Sequence, residues 1–114
     1  MTTLSVTREG ANIRALTVSG HSGFAQSGQD IVCAAISVLI TTGINALEAV
    51  AGIMPEVRQE EEAAVIALAL PAGLPEQAMH DAQVVLKTVL QGFTDIAEGY
   101  PEYLKIMDGR KSSC

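Results

Sequence analysis

The sequence is poor in the residues that carry most specialised chemistry: it has no tryptophan, two tyrosines, two phenylalanines, two histidines and two cysteines. Two cysteines, one of them the last residue, make no disulfide framework, and a reducing compartment keeps both as thiols. Positive charge is scarce too, with seven Lys and Arg against thirteen Asp and Glu and a formal charge of -6. Such a surface repels the phosphate backbone, so direct binding of nucleic acid is disfavoured. The start MTTLSVTREG has no basic segment followed by an apolar run, so no signal or transit peptide is visible and a cytoplasmic protein is expected. His and Cys nowhere form a close ligand pair, and neither GxGxxG nor a Walker GK[ST] occurs. Neither a metal nor a nucleotide is therefore expected.

Aliphatic side chains are what the sequence has in quantity. Hydrophobic residues make up 48% of the 114, and a mean hydropathy of +0.30 is apolar enough for a small protein to suggest that a second subunit covers part of its surface. A homodimer is the expectation, each copy a single domain over 1–109 with a polar tail at 110–114. The uncharged run IVCAAISVLITTGINAL, 31–47, contains Ser37, Thr41, Thr42, Gly43 and Asn45. Its length is at the bottom of the spanning range, so it reads as a buried helix and not a membrane segment.

Residues 3–8 and 13–18 are rich in Thr, Val, Leu and Ile and flank EGAN, the composition of a hairpin. Asp30 stands immediately before the long apolar run and can cap a helix over about 31–52. PEVRQ and AAVIALAL read as a second strand pair joined by EEE. Met79, Ala82, Val85, Leu86, Val89, Phe93, Ile96 and Ala97 then recur at helical spacing up to Gly99 and Pro101, and YLKIMD makes a last strand. The order β-β-α-β-β-α-β predicts an α+β two-layer sandwich, a mainly antiparallel sheet covered by two helices.

The chemistry concentrates in GHSGFAQSGQDIVCAAIS, residues 20–37. With Asp30 as cap, Cys33 falls in the first helical turn, where backbone N–H groups and the helix dipole favour thiolate. Ser37, Thr41, Asn45 and Glu48 follow at steps of four, four and three, so Cys33 is expected to head the polar stripe of the helix, away from the sheet. His21 leaves the second strand, and the loop after it is long enough to turn the imidazole toward the helix start. A base near neutral pKa beside a thiol, with backbone donors for an oxyanion, is what cysteine nucleophilic catalysis needs. A structural cysteine and a loop histidine bonded to backbone are the competing readings. Position 39 is Leu where a cysteine phosphatase loop needs arginine, and Ala34, Ala35 and Ile36 supply no second thiol for a thioredoxin-type pair.

The same stretch resembles the signature of the bacterial ribosomal-processing cysteine protease family, in which Gly-His ends a strand and Asp-Ile-Val-Cys-Ala-Ala opens a helix. Gly20, His21, Gly28, Asp30, Cys33 and Ser37 fall on that pattern, while Ser22 departs from the small residue such as Ala expected there. The resemblance implies a cytoplasmic, homodimeric cysteine endopeptidase that removes a short N-terminal extension from the large-ribosomal-subunit protein number twenty-seven, without metal or organic cofactor. By the same resemblance Cys33 is the nucleophile and His21 the general base and acid. Asp30 is a helix cap and positioning residue or a direct partner of His21, with Ser37 and Gly20 in support. Ser22, Gly23, Phe24 and Gly28 belong to a loop that shapes the peptide cleft, with Gly23 and Gly28 as hinges. A ribosome-associated binding module without catalysis, or a thiol redox sensor, would use the same residues differently.

Overall fold

The computed structural model describes residues 1–20 and 27–109, with the backbone alone for 27–30. Among these residues the chain runs β1 (Thr2–Glu9), β2 (Asn12–Ser19), α1 (Ser27–Ala49), β3 (Glu56–Glu60), β4 (Val65–Ala69), α2 (Glu76–Gly99) and β5 (Leu104–Asp108). The five strands form one sheet in the order β3-β4-β2-β1-β5, antiparallel except where β1 pairs with β5. Both helices cover one face of it, as the element order predicts.

The β1–β2 hairpin turns at Gly10 and Ala11, between paired Glu9 and Asn12, and Gly10 takes a φ of 61° there. Along β1, Thr2, Leu4 and Val6 are buried under the helices while Thr3 and Ser5 are half-buried on the other face. In β2 the parity changes: Ile13 is buried, and so are Leu16 and Val18. The register explains it, because Thr7 pairs with Ala15 and Arg8 with Ile13, leaving Arg14 as the extra residue of a β-bulge. The bulge disrupts the ladder, and a side chain from the helical layer completes it. Gln83 of α2, 6% exposed, accepts from the Ile13 N–H at 2.7 Å and donates from Nε2 to the Ile13 carbonyl at 2.9 Å.

Helix α2 buries Ala82, Gln83, Val85, Leu86, Val89 and Phe93, the apolar spacing read from sequence with Gln83 added. Helix α1 buries Val32, Ile36, Ile40 and Leu47 at 2% exposure or less. The stretch Ile31–Ala49 is long and apolar enough to cross a membrane by length and composition, yet it packs on the sheet with one face buried. Part of its exposed side is apolar as well: Ile31 and Val38 are 65% and 64% exposed. Glycine lets the helices approach each other and the sheet. A Cβ on Gly92 would come within 2.7 Å of a Leu39 methyl, and one on Gly43 within 3.4 Å of both Leu68 and Val89.

At the far edge, Arg8 holds Asp108 with two hydrogen bonds, Nε to Oδ1 at 2.7 Å and Nη2 to Oδ2 at 2.9 Å. This fork joins β1 to β5. Hydrogen bonding to Asp108 raises the already high pKa of Arg8, against a smaller lowering by burial, so the guanidinium stays charged.

Candidate active site

Strand β2 ends at Gly20, and three separate pieces of backbone meet there. Its φ of 79° lies in the left-handed region, its N–H donates to the Ala64 carbonyl at 3.1 Å, and a Cβ on it would fall 2.8 Å from the Met1 carbonyl oxygen. Any side chain would strain the φ and collide with backbone that cannot swing aside. Glycine immediately before His21 is therefore required by geometry. His21, Ser22, Gly23 and Phe24 themselves lie outside the described residues.

Helix α1 begins at Ser27 and not at Ile31, which corrects three expectations. Asp30 is the fourth helical residue, so it is not the N-cap. Gly28 is the second, part of the first turn and not a loop hinge. Cys33 becomes the seventh, in the second turn, where little of the dipole's preference for an anion remains. The reason is that Ser27 and Gly28 have turn-like composition, but Gln29 is a good helix former and two weaker residues are readily carried into a helix that tertiary packing already holds.

Cys33 is 7% exposed, and so does not head the polar stripe. Ser37, Thr41, Asn45 and Glu48 are exposed as expected, but a four-residue step overshoots one helical turn by about 40°, so such a series winds away from its first member. Seven residues nearly complete two turns, and at that spacing Cys33, Ile40 and Leu47 share one buried line. The thiol thus borders the core, on the side of α1 turned from α2. The apolar groove between the helices, about 500 Å³ and lined by Ala34, Ala35, Val38, Leu39, Gly92 and Ile96, opens on the other side.

Position along the helix follows from Gly43, which sits over Leu68 in β4. Because α1 leads into β3, whose Glu56 pairs with Ala69, the helix runs toward that end of β4, and Cys33, ten residues or about 15 Å before Gly43, lies toward the other end, where Val65 pairs with Ser19. That is the end at which Gly20 leaves the sheet. The second histidine lies elsewhere. Gly92 faces Leu39 and Gly43 faces Val89, so the two helices are antiparallel, and His80 in the first turns of α2 is roughly 28 Å from the level of Cys33 along the pair. His80 is exposed, with Nδ1 3.4 Å from Asp81.

Among the described residues no three His, Cys, Asp or Glu side chains come together as a metal-binding group. Sequence reasoning missed the Met1 carbonyl and Ala64 at the exit of β2. Neither leaves a mark in the sequence, because both act through the main chain and alanine signals nothing about a positive φ.

A family model described as cysteine protease Prp matches residues 1–105. The ribosomal processing cysteine protease Prp of Mycoplasma pneumoniae is 33% identical over 96 residues, 84% of this chain and 88% of that protein. Its Bacillus subtilis counterpart is 27% identical over 94 residues, 82% and 84%. Among solved structures, SMU.848 from Streptococcus mutans matches with a TM-score of 0.85 at 26% identity, covering 95% of this chain and 96% of that one. The protease Prp from S. aureus, solved in complex with a substrate peptide, shares the fold with a TM-score of 0.81 at 20% identity, covering 95% and 99%. The class that these likenesses define is the cysteine proteases. Within it, the chain belongs to the ribosomal processing cysteine protease Prp family.

Proposed function

We propose that this protein is a cytoplasmic cysteine endopeptidase, one domain over 1–109, that removes a short N-terminal extension from the large-ribosomal-subunit protein number twenty-seven, with Cys33 as nucleophile and His21 as its base. The observation that carries the dyad is one of elimination. Cys33 is the one cysteine inside the family match, which ends before Cys114, and of two histidines His80 lies at the opposite end of the helix pair. His21 is left, one residue beyond the constrained Gly20.

In this reaction His21 takes the proton of the Cys33 thiol as sulfur attacks the scissile carbonyl carbon. The tetrahedral oxyanion is held by backbone N–H donors. Collapse expels the amine, which takes the proton from His21, and leaves a thioester on Cys33. Water then adds with His21 again as base, the C–S bond breaks, and the freed acid leaves the thiol reprotonated. Within this proposal Asp30, near the start of α1, is a positioning residue, Ser37 and Gly20 support the site, and Ser22, Gly23 and Phe24 contact the peptide. No metal or organic cofactor takes part in these steps.

The deciding experiment incubates the protein with the extended ribosomal protein and reads the products by mass spectrometry. One new N-terminus, absent with Cys33→Ala, is expected; an uncut substrate would favour a binding module or a redox sensor.

The homodimer belongs to the same proposal. The exposed Val38 lines the apolar groove between α1 and α2, the exposed Ile31 stands two turns before it on the same side of α1, and a second copy seated there would remove this surface from water. Val38→Glu is expected to convert a dimer to a monomer in analytical ultracentrifugation, while the circular dichroism spectrum stays that of the parent protein. A dimer unchanged by the charge would move the contact to another face.

A further inference from the structure

We propose that Ala64, in the β3–β4 turn, is a positioning residue for the cleavage reaction, an inference that rests on the Cys33–His21 reading above. Ala64 is the one non-glycine residue with a positive φ among the described residues, at 53°. Alanine adopts that conformation only at a cost, and such residues collect where the surrounding structure over-determines them. What the conformation achieves is visible in two hydrogen bonds. The Ala64 N–H turns back to the Glu61 carbonyl at 3.1 Å and closes the turn, while the Ala64 carbonyl accepts from the Gly20 N–H at 3.1 Å.

The second bond extends the β2–β4 ladder one rung past its last pair, Ser19 with Val65. Gly20 is thereby held between Ala64 on one side and the Met1 carbonyl, 2.8 Å from where its Cβ would be, on the other. Its backbone is fixed on both flanks. Gly20 is bonded directly to His21, so this rung fixes the backbone from which the chain goes on to the proposed base. The carboxylates of Glu61 and Glu62 in the same turn are exposed, and only the main-chain carbonyl of Glu61 enters the arrangement. Ala64 acts through its main chain alone.

The test is a series at position 64 ordered by tolerance of the left-handed region: Ala64→Gly, Ala64→Asn, Ala64→Leu and Ala64→Val, assayed beside His21→Ala. Glycine and asparagine adopt the conformation readily and should keep the parent kcat, whereas valine, branched at Cβ, should abandon it. For Ala64→Val, kcat is expected to fall on the order of 10–100-fold, the scale of a small misplacement of a catalytic group, with KM within about twofold. The acid limb of its kcat/KM profile should shift, and the Gly20 amide should exchange with solvent faster than in the parent. If the valine variant does not fold, leucine against glycine carries the same comparison. Full turnover in the folded valine or leucine variant, or equal losses across the series, overturns the positioning role while an inert His21→Ala leaves the dyad standing. Full turnover in His21→Ala overturns the dyad and this proposal together.

Discussion

Replacing Cys33 with alanine should reduce cleavage of the extended ribosomal protein to the floor of the assay, while the thermal melt and the oligomeric state stay those of the parent. The size of the loss follows from what the thiol does: without it no thioester forms, and direct attack by water on an amide is left to whatever donors hold the carbonyl. In an analogous Ser-His-Asp system, loss of the nucleophile costs on the order of 10⁶ in kcat. The structural tolerance follows from size and position. Cys→Ala removes one sulfur from a residue that borders the core and is 7% exposed, leaving a small void whose cost is modest beside the large-to-small changes of a core. A single-turnover assay by mass spectrometry reads both the uncut substrate and any acyl-enzyme. Turnover persisting in Cys33→Ala would end the thioester mechanism.

The largest effect on stability is expected at Gln83. Its amide satisfies both the N–H and the carbonyl of Ile13 where the bulge at Arg14 has interrupted the ladder, and Ile13 is fully buried. Gln83→Leu fills much the same volume but strands a donor and an acceptor away from water, at about 1–3 kcal/mol each. A total of about 2–6 kcal/mol is a large part of the stability of a domain this size and lowers Tm on the order of 10 °C. Differential scanning calorimetry measures it directly. Gln83→Glu distinguishes the cause, because a carboxylate still accepts from the N–H but cannot donate to the carbonyl. A Tm unchanged in Gln83→Leu would mean that water replaces the amide.

Elements with a strong repeating pattern were legible in the sequence; those set by tertiary contact were not. The hairpin at EGAN and the eight apolar positions of α2 follow from local spacing, and both stand where that spacing puts them. The bulge at Arg14 escapes, because Ile13 and Leu16 each look inward-facing and nothing in RAL says which residue is spare. The start of α1 escapes for the opposite reason: Asp30 is a good cap by type, but the helix continues past it to Ser27. Of the site, the two residues proposed as the dyad come from GHSGFAQSGQDIVCAAIS and the family it resembles. The burial of Cys33 could not be read there, since it depends on which side of α1 meets the sheet. The role of Ala64 is invisible in principle, because φ is not encoded by a methyl group.

The pairing of β1 with β5 has a consequence for how the chain is made. Thr2 to Val6 line up with Leu104 to Asp108, so β1 is completed by β5, a strand made only after both helices. Until then β1 presents an open hydrogen-bonding edge while β2, β3, β4 and both helices are already able to assemble. Open edges of this kind recruit neighbouring chains, and partners so distant in sequence close slowly. The Arg8–Asp108 fork acts at that final moment: it fastens the closing strand to β1 with a charged, two-point contact.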